Sequence, residues 1–282
     1  MKGILPIIAI CVSVAPTSAQ NKADIEVSYS YEFPNFKTAA RESHNQYILR
    51  ANTRESRFFS PRTEYVDSMQ STPEGKAKLN EITTNAYTSG NFDKIPRADG
   101  SYYVVKSATS DKMHCYETVG MEKLVSEEPM PKIDWQIGED SRNILGYDCV
   151  KATTQYNGRV WNAWFAPDIP IQNGPWKLSG LPGLILEAES ADGLYIFTAT
   201  GIEKTGKDIG TVYLADQYEK MNRKEMLKAK RAFFDNPLGN INAQLSGKNM
   251  KITAQDEHGN KVDNGKRIFA TREEVDFIET DY

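Results

Sequence analysis

Hydrophobic and polar residues alternate along much of the chain, which is the pattern of β-strands that bury one face. Residues 24–33, DIEVSYSYEF, show the alternation clearly, with apolar side chains at every second position. Four further stretches in the first half of the chain predict strands on the same grounds: residues 46–50, 56–59, 102–107 and 112–119. The first half of the chain is therefore predicted to be mainly β-sheet.

The segment from residue 146 to residue 167 predicts a β-hairpin. Asn157-Gly158 separates two alternating runs, and this dipeptide is the strongest short-range signal for a two-residue hairpin turn. Trp164 and Phe165 are neighbours on the second strand and therefore face opposite sides. A strand with large apolar side chains on both faces is either covered on both sides or lines a concave pocket.

A second hairpin is predicted further along the chain, where Asp192-Gly193 separates residues 184–190 from residues 194–200. A final strand is expected at residues 252–255. Helical spacing appears twice, at residues 73–86, which follow the capping residue Thr72, and at residues 214–235. No linker divides residues 20–282, so we expect one domain of class α+β, built from a single curved antiparallel sheet and two or three helices.

Residues 174–187, GPWKLSGLPGLILE, connect the two hairpins and combine turn residues with an apolar run. Pro182-Gly183 suits the centre of a type II turn, because proline supplies the first φ and glycine tolerates the positive second φ. The segment is either a crossover that closes one end of the core, or the mouth of an apolar pocket. In the second case Trp176, Leu181 and Leu184 form the mouth and Trp164 the floor.

The first residues predict export. A basic start, an apolar run and the small residues Thr17-Ser18-Ala19 form the pattern of a secretory signal peptide, so residues 1–19 are expected to be removed. No later segment contains the roughly 18 uninterrupted apolar residues of a membrane-spanning helix. The mature chain is therefore expected to be soluble, in the periplasm or secreted.

Charge and cysteine content narrow the classes of partner. The formal net charge of −4 argues against nucleic acid, because neutralising phosphates requires clustered lysine and arginine. Cys115 and Cys149 remain after removal of the leader, and an even number of cysteines in an oxidising compartment favours a disulfide between them. The alternative is two buried thiols that do not meet.

No catalytic constellation stands out in the sequence. His44, His114 and His258 are far apart and lack the spacing of metal ligands, so we expect no metal and no cofactor. Ser179 lacks the glycine pattern of a nucleophile elbow. The acidic residues near the end, in REEVDFIETDY, are expected to form a solvated tail.

Residues 143–190 carry a resemblance to a known family. The hexapeptide Gly180-Leu181-Pro182-Gly183-Leu184-Ile185 is the motif for which the GLPGLI family of exported Bacteroidetes proteins is named. The resemblance implies a half-barrel or bowl-like sheet and association with outer-membrane, TonB-dependent transporters or other envelope proteins, but no established activity. The pattern of the family extends to further positions: Gly146, Tyr147, Cys149, Lys151, Ala152, Trp164, Ile169-Pro170 and Gly174-Pro175.

The residues leave three functional hypotheses. The one we favour is a non-enzymatic binding module, whose apolar concave face receives a hydrophobic ligand, peptide or partner protein. Its candidate ligand-binding residues are Trp164, Phe165, Trp176, Leu181 and Leu184. The alternatives are a hydrolase whose acidic residues converge only in the fold, and an envelope scaffold that pairs through a sheet edge.

Overall fold

The computed structural model describes residues 22–35, 41–99, 102–210, 212–246, 253 and 276–282. Within these residues it contains one sheet of twelve strands and four helices, which confirms the α+β class with a larger sheet and one more helix than expected. The strands are β1 (Ile25–Pro34), β2 (Arg41–Ala51), β3 (Glu55–Phe59), β4 (Tyr102–Ser107), β5 (Lys112–Val119), β6 (Glu122–Pro129), β7 (Gln136–Ile144), β8 (Tyr147–Tyr156), β9 (Arg159–Ala166), β10 (Leu184–Ser190), β11 (Ile196–Lys204) and β12 (Glu219–Lys220). The helices are α1 (Pro61–Gln70), α2 (Pro73–Ser89), α3 (Arg223–Asp235) and α4 (Pro237–Leu245).

The strands lie in the order β12-β6-β5-β4-β3-β2-β1-β11-β10-β9-β8-β7. The neighbours pair antiparallel, apart from the parallel pair of β12 and β6. Most neighbours are consecutive in the chain and are joined by short turns. Two neighbouring pairs are not consecutive: β12 lies beside β6, and β1 lies beside β11, which brings the two halves of the sheet together.

Both predicted hairpins are confirmed. Asn157 and Gly158 have φ values of 49° and 84°, as a type I′ turn requires at its two central residues, and they join β8 to β9. Gly193, with a φ of 70°, lies in the turn between β10 and β11. The dipeptides were reliable signals because few residues other than glycine and asparagine tolerate these backbone angles.

Helix α2 begins as predicted, with the Thr72 side chain accepting a hydrogen bond from the Gly75 N–H. The second predicted helix is shorter than expected: it begins at Arg223, where the Asn222 side chain caps the Lys224 N–H. The preceding residues form a 3-10 turn and β12 instead, and β12 pairs with Leu124 and Val125 of β6. Strands β6 and β7 and helices α1 and α4 were not predicted.

The two faces of the sheet are covered by different parts of the chain. The face that carries Trp161, Ala163 and Phe165 of β9 is called the inner face, and these three residues are all buried. Residues 167–183, the crossover between β9 and β10, pack against this face: the Trp176 ring lies 5.5 Å from the Trp161 ring. The crossover is therefore part of the core, as one of the two interpretations of this segment predicted.

The type II turn at Pro182-Gly183 is not formed. Gly183 is absent from the glycines with positive φ, whereas Gly180 has a φ of 91°. The Gly183 N–H donates to the Leu181 carbonyl at 2.8 Å, which makes a tighter turn around Pro182. Glycine is required at position 183 for another reason: a Cβ there would lie 2.3 Å from the Ala166 carbonyl oxygen.

The disulfide predicted between Cys115 and Cys149 is corrected by the structure, in which both are free and buried thiols. Cys115 lies opposite Val104 on the inner face of β5. Cys149 precedes Val150, which lies opposite the core residue Phe165, so Cys149 points to the other face of the sheet. A disulfide requires Cβ atoms about 3.5–4.5 Å apart, which side chains on opposite faces of nonadjacent strands do not reach.

The acidic tail is not a solvated end over residues 276–282. Phe277 and Glu279 are 1% and 5% exposed, and this segment packs against the β8–β9 turn and α3. The predicted signal peptide, residues 1–19, lies outside the described residues, as does the strand predicted at residues 252–255 apart from Thr253. Among the helices that the structure describes, none is long and apolar enough to cross a bilayer.

Candidate functional site

An aromatic pocket lies at one end of the inner face, where β1, β2, β4 and β5 meet the crossover, α3 and the last residues of the chain. Its volume is about 260 Å³, and eight of its thirteen lining residues are aromatic. The lining residues are Tyr31, Phe33, Asn45, Tyr47, Tyr102, Glu117, Thr118, Trp176, Tyr195, Lys230, Phe234, Phe277 and Ile278.

The aromatic walls are held in place by ring packing. Tyr31 stacks on Phe197 with ring centroids 4.3 Å apart, and Tyr47 stacks on Tyr102 at 5.1 Å. Burial raises the pKa of Tyr31, Tyr47 and Tyr102 well above that of a free phenol. The hydroxyl groups therefore stay neutral, and each keeps a proton to donate in a hydrogen bond.

The polar part of the pocket is small. Lys230 of α3 pairs with both carboxylate oxygens of Glu117, at 2.9 and 3.1 Å, so neither charge is left alone beside the apolar walls. Asn45 and Thr118 supply an amide and a hydroxyl. A mostly apolar cavity with a few polar groups is the usual composition of a small-molecule site.

Trp176 joins the pocket to the core of the crossover. Its φ of 51° places a bulky residue in the left-handed region, which costs of order 1–3 kcal/mol and persists only when the surroundings hold it. Here the indole is held between Trp161 at 5.5 Å and Tyr156 at 5.9 Å. The backbone conformation thus directs the Trp176 ring into the wall of the pocket.

A buried ion cluster lies next to Trp176. Lys177 Nζ is 2.9 Å from Glu128 Oε1 and 2.8 Å from Glu279 Oε1, and Arg223 also pairs with Glu279 and with Asp281. Burial alone would raise the pKa of Glu279, but Lys177 and Arg223 outweigh it and keep the pKa below its ordinary value. The acids that the fold brings together are thus neutralised by cations, as in a structural cluster.

The five predicted ligand-binding residues do not form one site. Trp176 lines the aromatic pocket. Phe165, Leu181 and Leu184 are fully buried in the main core instead. Trp164 lies on the outer face, where the Arg142 guanidinium stacks over its ring at 4.1 Å, so it does not floor the pocket on the inner face.

Sequence reasoning missed the residues that close the pocket. Phe277 and Ile278 come from the segment that was predicted to be a solvated tail, and Lys230 and Phe234 come from α3. A signal was present, because three of the seven residues 276–282 are apolar or aromatic: Phe277, Ile278 and Tyr282. The acidic residues around them led to the prediction of a solvated tail.

Lys106 of β4 is an unusual buried cation under the crossover. It is 1% exposed, and its Nζ donates to the carbonyl oxygens of Gly174 at 3.1 Å and Leu178 at 2.9 Å. Burial lowers the pKa of Lys106 to about 7. These hydrogen bonds satisfy two carbonyl groups of the crossover that would otherwise be buried without partners.

The described residues contain no group of three or more histidine, cysteine, aspartate or glutamate side chains placed to hold a metal ion. His114 contacts Glu127 at 3.3 Å on the surface, and Lys112 pairs with the same carboxylate. This arrangement is an exposed ion pair with a histidine beside it.

Comparison with known proteins gives one family match. No curated protein matches the chain. Two solved structures of PNGF-II, in space groups P21 and C2, are similar to it at 15% identity and a TM-score of 0.48, and cover 73% and 74% of this chain. The chain spans about a third of those structures, 32% of each. The model of the family described as "N-glycanase peptide, N-terminal domain" matches residues 78–228, more than half of the chain, and the chain therefore belongs to that family.

Proposed function

We propose that the chain is a non-enzymatic binding module that holds a hydrophobic ligand, or an apolar part of a peptide or partner protein, in the aromatic pocket. The observation that carries the proposal is the lining of the pocket, in which eight of thirteen residues are aromatic. Apolar surface removed from water against such walls contributes roughly 25 cal/mol per Å². The tyrosine hydroxyls, Asn45 and Thr118 would orient the polar end of the ligand.

The proposal includes a curved, bowl-like sheet, and two contacts of the crossover support the curvature. In a flat sheet β4 and β9 would lie roughly 29 Å apart, since five strands separate them and neighbouring strands are spaced by about 4.8 Å. Yet Lys106 of β4 reaches the Gly174 carbonyl at 3.1 Å, and Trp161 of β9 packs on Trp176 at 5.5 Å. Both strands thus contact the same short segment from opposite sides.

The family description supports a role beside a catalytic unit, because the matched family is described as an N-terminal domain of an N-glycanase. We further propose that the chain is an exported member of the GLPGLI family that works in the periplasm or outside the cell. The leader pattern of residues 1–19 and the hexapeptide at 180–185 support this proposal. Its proposed partner is an outer-membrane transporter or another envelope protein.

A fluorescence titration with the hydrophobic probe N-phenyl-1-naphthylamine tests the pocket. Asn45 lines the pocket on β2, and the indole of Asn45→Trp would fill much of the cavity of about 260 Å³. We expect this variant to weaken probe binding roughly tenfold or more, because the probe and the indole compete for the same space.

The matched control is Asn162→Trp, the same substitution on the outer face of β9. It should bind the probe like the wild type. Equal binding by both variants, with unfolding temperatures near that of the wild type, would show that the probe binds elsewhere and that the pocket is misassigned.

A further inference from the structure

Residues 276–282, which we call the strap, lie across one side of the aromatic pocket. Their backbone is bound by side chains and by a turn. The Arg159 guanidinium donates to the Phe277 carbonyl at 2.6 and 3.1 Å, and the Tyr195 hydroxyl donates to the Asp276 carbonyl at 2.7 Å. The Thr280 N–H donates to the Asn157 carbonyl at 3.0 Å, in the β8–β9 turn.

Two side chains of the strap form part of the pocket wall. Phe277 is 1% exposed and packs edge-on against Phe234, with ring centroids 5.0 Å apart. Ile278 lines the pocket beside it. If the strap left its groove, the wall of the pocket would open on this side.

The strap is also coupled to Trp176, another residue of the pocket wall. Glu279 of the strap pairs with Lys177, and Lys177 directly follows Trp176, whose strained backbone directs its ring into the pocket. Release of Glu279 would leave Lys177 with one carboxylate, Glu128, in place of two. Movement of the strap and relaxation of Trp176 are therefore linked through one ion pair.

Phe277 is the one apolar side chain of the strap that is fully buried, and polar anchors hold the other residues. Ile278, Thr280 and Tyr282 are only partly buried, and Asp281 is exposed. Segments held by few buried apolar contacts open at a lower free energy than the core of a protein. The strap is thus suited to leave its groove while the sheet stays folded.

We infer that residues 276–282 are a displaceable strap that gates the aromatic pocket, so that a ligand enters when the strap leaves its groove. This inference rests on the proposed function, since it assigns a gate to the same site. A segment that opens and closes over a site limits the rate at which the ligand enters, whereas the pocket lining determines which ligand binds.

Stopped-flow association of N-phenyl-1-naphthylamine with the full chain tests the gate. In the wild type, the observed rate should level off at high probe concentration, at the rate at which the strap opens. Thr280→Pro removes the N–H that donates to the Asn157 carbonyl, and Thr280 does not line the pocket. We expect this variant to raise the plateau roughly three- to tenfold, because one backbone hydrogen bond no longer holds the strap closed.

Thr280→Val is the matched control, since it keeps the N–H and removes only the hydroxyl that donates to the Gly158 carbonyl. Hydrogen exchange of residues 276–282 should accelerate in Thr280→Pro and stay near the wild-type rate in Thr280→Val. If Thr280→Pro unfolds, Asp281→Asn serves as a second way to weaken the strap, because it removes a more exposed carboxylate that pairs with Arg223 and does not line the pocket.

The outcomes separate the two proposals. If Thr280→Pro speeds hydrogen exchange of the strap but leaves the association rate of the probe unchanged, the gate is overturned. The proposed binding site would still stand in that case, provided that Asn45→Trp abolishes equilibrium binding of the probe. Probe binding that Asn45→Trp does not weaken would overturn both. A plateau that rises with the exchange rate of the strap supports the gate.

Discussion

Lys177 Nζ lies 2.8 Å from Glu279 Oε1, and the two side chains are 2% and 7% exposed, although one residue belongs to the crossover and the other to the strap. Breaking a buried ion pair by removing one charge costs more than the pair itself contributes, because the remaining charge stays out of water. The pair therefore ties the strap to the crossover when the strap lies in its groove.

Glu279→Gln should destabilise the protein by about 1–3 kcal/mol, since Lys177 keeps Glu128 and Arg223 keeps Asp281 but both cations lose a buried partner. Denaturant unfolding measures this directly. The control is Glu203→Gln, which removes an exposed carboxylate that pairs with Lys207 at 2.8 Å and should cost about 0–1 kcal/mol. Equal effects of the two variants would contradict a buried role for Glu279.

Gly183→Ala should destabilise the protein by about 1–3 kcal/mol, because the new methyl group would overlap the Ala166 carbonyl and the backbone would have to shift. Gly206→Ala is the control, since nothing lies within 4 Å of the added Cβ at that position. Thermal unfolding of both variants checks the prediction. A neutral Gly183→Ala would mean that β9 and the crossover do not approach this closely.

Lys106→Met should change the pH dependence of stability. The pKa of Lys106 is lowered to about 7 by burial, so between about pH 7 and its ordinary value near 10.4 the unfolded chain binds more protons than the folded chain. Wild-type stability therefore contains a contribution that rises with pH across this window, and the methionine variant lacks it. The unfolding temperature of the wild type, relative to that of Lys106→Met, should increase as the pH is raised through this window.

Lys228→Met, at an exposed position on α3, controls for general effects of losing a lysine. Its difference in unfolding temperature from the wild type should change little over the same range. A constant difference for Lys106→Met as well would show that the Lys106 amine remains charged in the folded protein.

Cys115 and Cys149 should each be found as a thiol without prior reduction. Burial raises the pKa of Cys115 to about 12 and also raises the pKa of Cys149, so alkylation of the native protein should be slow. In denaturant both should react, and mass spectrometry of the two peptides should give the same labelling with and without a reductant. Labelling that increases only after reduction would show that Cys115 and Cys149 form a disulfide.

The hairpin turns and the start of α2 could be predicted from the sequence alone. Asn157-Gly158 marked its hairpin, and Thr72 marked the start of α2, because these residues satisfy requirements set by their immediate neighbours. The 214–235 helix was only partly predicted, since helical spacing continued past the point where Asn222 caps the helix. β7 was missed because eight of its nine residues are exposed, and such a strand has no alternation to read.

The sequence by itself determined the hairpins and the start of α2, because short-range turn and capping chemistry decides these features, and it left two interpretations of the crossover open. Only the tertiary structure decided which side chains form the pocket. Trp164 and Phe165 are neighbours that face opposite sides of β9, and the sequence does not say which face is covered. Phe277 and Ile278 reach the pocket through contacts with the distant β8–β9 turn and α3, and such long-range contacts leave no periodic pattern in the chain.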